Sequence, residues 1–485
     1  MICHQLKIVM MYYQGQFMIR NLTCTTQNTL LEAMHIINEN AMKVCFVVDK
    51  NNTLKGVITD GDIRRAILDH NSLDSLVSSI LNSHFIFGNQ DDSNKTLVKK
   101  ISGSIDIIPI VDNNNKLVNY FKYDHQSHFP VAVPNLGGNE FKYITDAFLS
   151  TWISSTGSYI EKFEEEFSRY SDCSYGVTVT NGTAALHVAL IALGIGKGDE
   201  VIIPDLTFAA TINAVLHANA TPVIVDVENS SWCINPKEIE KAITPKTKAI
   251  IPVHLYGQSC DMKAIVQIAK KYNLRIIEDC AEAHGATCDG KKVGSFGDIG
   301  CFSFYGNKVI TTGEGGMCVT NNSVLNEKIR VLRDHGMSKT KRYWHDMVGY
   351  NYRMTNIQAA IGLAQLERID DIHQNRRKYE NNYKKILDND KFTFQNDIGN
   401  RKRITWLVSI LIDSDIDKDA YLNKLEENGI DARPFFYPLS IMDIYKTYCN
   451  VDTPVTKMLS KRGFNLPTYE SLKSSEEIKK ILESM

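Results

Sequence analysis

The 485-residue chain lacks three features that would each assign it to a broad class of protein. It has no C-x-x-C pair among its 11 cysteines and no zinc-ligand spacing, which argues against a disulfide framework and a structural zinc site. Its net charge is only −2, which argues against binding nucleic acid by bulk electrostatics and leaves only a local basic patch as a basis for it. It also has no apolar run as long as a membrane span, because the best candidate, 201–227, is interrupted by Pro204, Asp205, His217 and Pro222.

The N-terminal residues contain no sustained apolar segment of the kind found in secretory signals. Scattered cysteines without a pairing pattern are typical of a reducing compartment. We therefore expect a cytoplasmic protein with no membrane partner, no nucleic-acid partner and no bound metal. The 43% of hydrophobic residues is ordinary for a globular protein, and the length allows about three folded units.

The pattern of strands and helices changes near 127–137, a segment with Pro130, Pro134 and Gly137 that we interpret as a linker. Before it, residues 15–126 contain two units with the same order of helix, apolar strand, Asn-rich turn and second strand. The first unit reads LLEAMHIINEN, VCFVVD and LKGVIT, and the second reads LVKKISGS, IDIIPIVD and LVNYFKY. This repeat indicates a duplicated α+β unit.

After the linker, apolar strands alternate with helical stretches, as in GVTVT, EVIIP, PVIVDV, KAIIPVHL and LRIIED. Alternation of this kind predicts an α/β domain with a mostly parallel sheet over 138–370, followed by a smaller α/β domain over 371–485. Ligands bind such sheets at the carboxyl ends of the strands. The residues that this rule singles out are Asn181, Asp205, His254 and Asp279.

Two ionisable residues follow predicted buried strands. Asp279, in RIIEDCAEAHGA, ends its strand, where a carboxylate is costly unless it is paired; a helix N-cap is the alternative. Lys308, in CFSFYGNKVITTGEGG, follows another strand, where desolvation makes a neutral amine available for Schiff-base formation. The alternative for Lys308 is an ammonium group that reaches solvent.

Two further features lie at strand ends. In VTVTNGTAALHVAL a strand leads into a helix at Gly182 and Thr183, where the helix N-terminus favours an anion such as phosphate; a simple helix cap is the alternative. Phe208, in PDLTFAAT, is placed to stack on a planar ring, with core packing as the alternative. A reactive amine, an acid, an anion site and a flat aromatic together meet the requirements of pyridoxal 5′-phosphate (PLP).

The region from about 130 to 485 resembles the DegT/DnrJ/EryC1/StrS family of PLP-dependent sugar aminotransferases, which have the fold-type-I architecture. The resemblance rests on NGTAAL, PDLTFAAT, VHLYGQ, IIEDCAEAHGA, GSFGDIGCFSFYGNK, TTGEGGM and GYNYRMTNIQAAIG. It implies that Lys308 forms the Schiff base, that Asp279 pairs with the pyridinium nitrogen and that Phe208 stacks on the ring. One subgroup of the family has His in place of the lysine and performs dehydration, and Lys308 argues against that subgroup.

The same resemblance implies further contacts with the cofactor. Glu282 stands where many members have Gln and is expected near the cofactor. Asn351 is expected to reach the phosphate from the neighbouring subunit, which implies a homodimer or a higher homo-oligomer. The residues implied at the phosphate within the subunit are Gly182, Thr183, Ala184 and Ser303.

Within the family, KRYWHDMVGYNYRMTNIQAAIGLAQLER, ARPFFYPL and RGFNLPTY are similar to the perosamine-forming branch. The implied reaction moves an amino group from L-glutamate to GDP-4-keto-6-deoxy-D-mannose for surface polysaccharide synthesis. A UDP- or dTDP-keto-sugar 3- or 4-aminotransferase is the alternative, because the motifs place the cofactor better than the sugar carbon or the base. Arginine suits a pyrophosphate, and surface ion pairs or packing are the alternative roles. The candidates for the nucleotide-sugar site are Arg342, His345, Tyr352, Arg353, Arg433 and Phe436.

GVITDGDIRRAIL resembles the end of a CBS motif, and the duplicated layout of 15–126 resembles a CBS pair, or Bateman module. The resemblance implies that Thr59 and Asp62 grip the ribose of an adenine nucleotide. A capping box at the start of a helix is the alternative, and both roles can hold at once. The second repeat has no matching Thr-x-x-Asp, so we expect at most one nucleotide site. A nucleotide-sensing CBS protein with a vestigial PLP region is the alternative from a different functional class.

Overall fold

The computed structural model describes residues 21–40, 42–81, 84–92, 94–101, 107–122, 129–387 and 391–469. The chain divides into two compact units, Met1–His128 and Phe129–Met485. The division falls inside the segment 127–137 that the sequence predicts to be a linker. Within the described residues, no helix is both long enough and apolar enough to cross a membrane.

The N-terminal unit contains two three-stranded sheets of the same design. In each sheet a short first strand pairs in parallel with a fully buried central strand, which pairs antiparallel with the third strand. The sheet orders are β1-β2-β3 and β4-β5-β6. The elements are β1 (Thr23–Thr25), α1 (Leu30–Asn40), β2 (Val44–Val48), β3 (Leu54–Thr59), α2 (Asp60–Leu68), a 3₁₀ helix (Val77–Ser79), β4 (Gly88–Asn89), α3 (Asn94–Lys100), β5 (Ile107–Val111) and β6 (Leu117–Lys122).

The two repeats of this unit share a core. Phe46 and Val48 of β2 pack in one apolar cluster with Val111 of β5 and Leu117 of β6. The Asn52 side chain, in the turn of the first repeat, donates a hydrogen bond of 2.8 Å to the Leu117 carbonyl of the second. This matches the duplication that the sequence predicts.

The second unit is built on a seven-stranded sheet of order β7-β15-β14-β11-β10-β8-β9, in which β15 runs antiparallel to the other six strands. The predicted mostly parallel α/β sheet is confirmed. The elements of this domain are α4 (Glu140–Leu149), α5 (Ser158–Tyr170), β7 (Tyr175–Val179), α6 (Gly182–Ala192), β8 (Glu200–Pro204), α7 (Ala210–His217), β9 (Thr221–Val225), α8 (Pro236–Ala242), β10 (Thr247–Ile250), a 3₁₀ helix (Leu255–Gly257), α9 (Met262–Tyr272), β11 (Arg275–Asp279), β12 (Thr287–Cys288), β13 (Lys291–Lys292), β14 (Ile299–Ser303), β15 (Gly316–Thr320), α10 (Ser323–Arg333) and α11 (Asn356–Leu366).

Helix α6 is apolar on nearly every side and is buried from Ala184 to Leu190. Its side chains join the core that lies on one face of the sheet, together with Val177 of β7 and Ile203 of β8. Burial on all sides fixes the helix firmly, because leaving this surface exposed would cost about 25 cal/mol per Å². The N-terminus of α6 is thereby held directly after β7, at the carboxyl edge of the sheet.

The C-terminal lobe has a four-stranded antiparallel sheet of order β16-β18-β20-β19. Helix α12 connects the lobes, since Ile372 packs in the core of the large domain and Tyr383 in that of the small one. Phe129, at the predicted linker, packs in the core of this lobe and donates its N–H to the Gly429 carbonyl at 2.8 Å. The elements are α12 (Ile369–Ile386), β16 (Phe392–Phe394), β17 (Arg401–Lys402), β18 (Val408–Ile412), α13 (Lys418–Glu427), β19 (Arg433–Pro434), two 3₁₀ helices (Leu439–Ile441 and Lys446–Tyr448), α14 (Pro454–Arg462) and β20 (Gly463–Leu466), with β17 pairing β12 of the small sheet β13-β12-β17.

Candidate active site

A cavity of about 400 Å³ lies at the carboxyl ends of the central strands. A second cavity of about 750 Å³ shares Phe208, Trp406 and Phe436 with it and extends to Arg433. Seven of the residues that the sequence predicts at the cofactor therefore come together from four separate stretches of chain. Those that line the first cavity are Gly182, Thr183, Phe208, Asp279, Glu282, Ser303 and Lys308.

The Lys308 amine lies in an enclosed position between an acid and an indole ring. Its Nζ atom is 3.6 Å from Glu282 Oε1 and 4.2 Å from the centre of the Trp406 ring, and its side chain is 13% exposed. Trp406 is fixed by a hydrogen bond of 2.7 Å from its Nε1 to the Asn307 carbonyl. Sequence reasoning missed Trp406, because it comes from the C-terminal lobe and no local pattern connects it with Lys308.

Asp279 ends β11 and is buried beneath the cavity. Its Oδ2 accepts a hydrogen bond of 2.9 Å from Thr211 Oγ1, and its Oδ1 accepts one of 3.2 Å from the N–H of Ala281. Burial raises the pKa of the carboxyl above its ordinary value, although these hydrogen bonds and the charge of Lys308 act in the opposite direction. The two hydrogen-bond donors to the carboxylate are both neutral groups, and the carboxylate faces the cavity.

The turn between β7 and α6 forms the third part of the site. The Asn181 side chain accepts a hydrogen bond of 2.8 Å from the N–H of Ala184. The Ala184 N–H, which the sequence predicts to bind the phosphate, therefore already has a partner within the turn. The N–H groups of Gly182 and Thr183 belong to the first helical turn, where no intrahelical acceptor exists. A Cβ atom on Gly182 would lie 2.7 Å from Ser303 Cβ, so glycine lets the turn approach the Ser303 hydroxyl.

Glu282 is buried, and its Oε2 accepts a hydrogen bond of 2.9 Å from the N–H of Tyr256. Burial raises the pKa of this carboxyl to about 7, while the charge of Lys308 limits the rise. Since the group changes its charge close to neutral pH, the electrostatic surroundings of Lys308 depend on pH.

Glu282→Gln is expected to remove a pH dependence of folding stability. The carboxyl ionises near 4.5 in the unfolded chain and near 7 in the folded one, so between these values the unfolded chain binds fewer protons and stability falls as pH rises. The fall in folding stability over this pH range is at most roughly 3 kcal/mol. A glutamine does not ionise, so the variant should not show this fall. Denaturant unfolding of the cofactor-free protein at about pH 5 and about pH 8 measures the difference.

Glu164→Gln is a matched control, because the pKa of this buried carboxyl shifts in the opposite direction and its titration lies below the range between pH 5 and pH 8. Burial alone would raise the pKa of Glu164, but Arg333 and Arg330, at 2.6 and 2.7 Å, lower it below its ordinary value. The wild-type carboxylate therefore stabilises the fold above its unfolded pKa, and this contribution is lost as pH falls. An equal change in stability with pH for the wild type and Glu282→Gln would contradict the prediction.

The predicted nucleotide-sugar residues fall into separate groups. Phe436 lies with its ring centre 5.7 Å from that of Phe208, and Arg433 pairs with Asp431 at 2.8 Å at the second cavity. Arg342 and Arg353 instead line another cavity, of about 600 Å³, which also contains Arg330 and Arg333. Arg353 forms an ion pair with Asp334 there.

The remaining predicted residues lie outside the first cavity. His345 is exposed, with Nδ1 2.9 Å from the His335 carbonyl oxygen. Asn351 is also exposed and is not among the described residues that line that cavity. Tyr352 turns inward, and its hydroxyl lies 3.0 Å from His187 Nδ1.

In the N-terminal unit, Thr59 and Asp62 form a capping box at the start of α2. The Thr59 N–H and hydroxyl both donate to Asp62 Oδ2, at 2.8 and 2.7 Å, and the Asp62 N–H donates to Thr59 Oγ1 at 3.2 Å. Asp62 also pairs with Arg65 at 2.6 Å. The capping role is therefore present, and binding of an adenine nucleotide by these residues stays a prediction.

Comparison with known proteins shows which family the chain resembles. The profile of the DegT/DnrJ/EryC1/StrS aminotransferase family matches residues 134–485, and that of the CBS domain matches residues 15–69. The chain is 47% identical to GDP-perosamine synthase of Escherichia coli O157:H7 and 42% identical to that of Vibrio cholerae. These alignments cover 74% and 73% of this chain, and 98% and 96% of the relatives.

The chain belongs to the DegT/DnrJ/EryC1/StrS aminotransferase family. Among solved structures, Spr1654 from Streptococcus pneumoniae in its PLP-form is 28% identical, with a TM-score of 0.69 over 74% of this chain and 97% of that one. The protein is thus a PLP-dependent sugar aminotransferase of fold type I with an N-terminal CBS domain. This assignment replaces the alternative of a nucleotide-sensing protein with a vestigial PLP region.

The residues present fit PLP. The cavity offers an amine in Lys308, an acid in Asp279 beneath it, and the first-turn N–H groups of α6 beside the Ser303 hydroxyl as donors for an anion. Phe208 borders the same space and is 61% exposed, so its ring is accessible to a planar group. These donors and acceptors match the aldehyde, pyridine nitrogen and phosphate of the cofactor.

Proposed function

We propose that the protein transfers the amino group of L-glutamate to C4 of GDP-4-keto-6-deoxy-D-mannose, giving GDP-perosamine for surface polysaccharide synthesis. The observation that carries the proposal is the position of the Lys308 amine, enclosed by Glu282 and Trp406 where a cofactor-sized cavity adjoins a larger aromatic one. The similarity to two relatives named GDP-perosamine synthase supports this choice of substrate over UDP- and dTDP-linked keto sugars.

Each residue of the first cavity has a separate task in this proposal. PLP, when bound, supplies a ring that accepts the electron pair released as a C–H bond beside the transferred nitrogen breaks. With the cofactor bound, Lys308 would move the proton from that carbon to the cofactor carbon that takes up the nitrogen, and in the second half of the reaction it would move a proton from there to the acceptor carbon. Asp279 accepts a hydrogen bond from the ring nitrogen and keeps it protonated. Gly182, Thr183 and Ser303 hold the phosphate.

The second cavity is the proposed place for the nucleotide sugar. Its wall contains Tyr305, Phe436 and Tyr437, which suit contact with a sugar and a base, and Arg433 supplies a guanidinium for the pyrophosphate. Because Arg342 and Arg353 line a different cavity of the same subunit, we propose that they serve the site of a second copy, as does Asn351. The working form is accordingly a homodimer or a higher homo-oligomer.

The proposal is tested in two half-reactions followed by the visible absorbance of the PLP-loaded protein. L-glutamate is expected to remove the absorbance of covalently held PLP. After removal of glutamate, GDP-4-keto-6-deoxy-D-mannose is expected to restore it, whereas UDP- and dTDP-linked keto sugars are not.

If only a UDP- or dTDP-linked keto sugar restores the absorbance, the protein is an aminotransferase for that sugar instead. No response to L-glutamate, with a response to another amino acid, would overturn the donor. Lys308→Arg serves as the matched control, because it keeps a cation beside Glu282 without an amine that can be transiently freed.

A further inference from the structure

The segment Tyr350–Tyr352 presents one side chain outward between two that face inward. The N–H groups of Tyr350 and Tyr352 donate to the carbonyls of Leu332 and Arg333, at 2.7 and 3.0 Å, and Asn351 forms an antiparallel bridge with Asp334. Successive side chains of an extended segment point to opposite sides. The two tyrosine rings are stacked 4.9 Å apart with planes at 10°, and Asn351 is exposed.

The inward side of this segment is attached to the helix that begins at the proposed phosphate turn. His187 of α6 is 5% exposed, and its Nδ1 lies 3.0 Å from the Tyr352 hydroxyl. The ring centre of His187 is 4.9 Å from that of Tyr350. A second attachment comes from Thr180, just before the turn, whose N–H donates to the Tyr352 carbonyl at 2.8 Å.

We infer that His187 and Tyr352 are positioning residues that fix Asn351 for the phosphate site of a second copy of the chain. The inference rests on the proposed function, in which Asn351 reaches the cofactor phosphate of the neighbouring subunit. Helix α6 then supports two cofactors, its own through the N–H groups of its first turn and that of the partner through Tyr352. Neither His187 nor Tyr352 is among the described residues that line the first cavity.

A role limited to packing predicts a different result. If His187 and Tyr352 only stabilised their own subunit, a change in either would affect the cofactor of that same subunit or its unfolding. A positioning role instead places the effect in the other subunit, because Asn351 acts there. The two roles are therefore separated by asking which subunit of a mixed dimer loses its cofactor faster.

The experiment uses dimers of one wild-type chain and one chain with Lys308→Ala, isolated by two different tags. Only the wild-type subunit then holds PLP covalently, and the Asn351 that reaches this PLP belongs to the Lys308→Ala chain. Adding Tyr352→Phe to the Lys308→Ala chain is expected to speed PLP loss from the wild-type subunit roughly fivefold, the factor for about one lost hydrogen bond. The decay of the absorbance of covalently held PLP after dilution with a PLP scavenger measures this rate.

Tyr350→Phe in the same chain is the matched control, since it removes the hydroxyl of the other stacked ring, and it is expected to leave the rate unchanged. Tyr352→Phe placed in the wild-type chain instead is also expected to have no effect on that chain's PLP. If PLP is lost faster only when Tyr352→Phe is in the wild-type chain, the two residues act by packing within their own subunit and the inference is overturned.

Asn351→Ala in the Lys308→Ala chain separates this inference from the proposed function. If Asn351→Ala does not speed PLP loss from the wild-type subunit, the contact between subunits is wrong and the proposed function fails at that point. If Asn351→Ala speeds the loss and both Tyr352→Phe and His187→Phe leave it unchanged, only the positioning roles are overturned.

Discussion

Lys308→Ala is expected to lower turnover by at least about 10⁴-fold, because the side chain acts both as nucleophile and as proton carrier. The substitution should leave the fold intact, since the Nζ contacts with Glu282 and the Trp406 ring are long, at 3.6 and 4.2 Å. Lys308→Arg is expected to lose as much activity, which separates the amine chemistry from simple charge. Steady-state rates with glutamate and the keto sugar, beside thermal unfolding of each variant, measure both effects.

Lys418→Met provides the control for the loss of a buried lysine. Lys418 is 7% exposed, and its ammonium donates to the Ser460 carbonyl at 2.7 Å, away from the cavity. This variant is expected to unfold at a lower temperature and to keep its turnover per bound cofactor, the reverse of the pattern at Lys308. Normal turnover in Lys308→Ala would remove the aminotransferase mechanism.

The parallel sheet and the residues at the carboxyl ends of its strands could be predicted, because the sequence patterns that indicate them are local. Strands β7 to β11 are short, mostly apolar runs that alternate with helical stretches. Polar residues follow β7, β8 and β9 directly, and β11 ends at one. The order of elements then fixes which ends meet, and this places Asp279 and the turn at Gly182 on one edge. Lys308 follows from the same logic, since it comes soon after β14.

Contacts between distant parts of the chain could not be predicted. Trp406 approaches Lys308 from the C-terminal lobe, and Thr211 reaches Asp279 from α7. Neither residue carries a pattern that distinguishes it from an ordinary core residue. Strands β1 and β4 were missed for another reason, because two or three residues are too few to show an alternation.

The sequence also could not distinguish two aspartates at strand ends. Asp205 follows β8 as a fully buried residue, and its oxygens accept hydrogen bonds of 2.6 to 2.7 Å from Ser440 and Thr453. These bonds join the large domain to the C-terminal lobe. Asp279 has fewer and longer bonds and faces the cavity, so the difference between a structural and a functional aspartate lies in partners that only the fold supplies.

Asp279→Asn is expected to reduce turnover by on the order of 10²- to 10³-fold and to weaken PLP retention, because a neutral amide does not hold the ring nitrogen protonated. The cofactor-free protein should keep its stability at neutral pH, since burial raises the pKa of Asp279 and the amide avoids the cost of an ionised group while still accepting from Thr211. Burial raises the pKa of Asp205 as well, but three donors point at its carboxylate and an amide cannot accept from all of them, so Asp205→Asn should lower the unfolding temperature and spare PLP retention. We would measure the turnover rate, the PLP absorbance after dilution and the thermal unfolding of both variants. Unchanged turnover and PLP retention in Asp279→Asn would exclude the proposed pairing with the ring nitrogen.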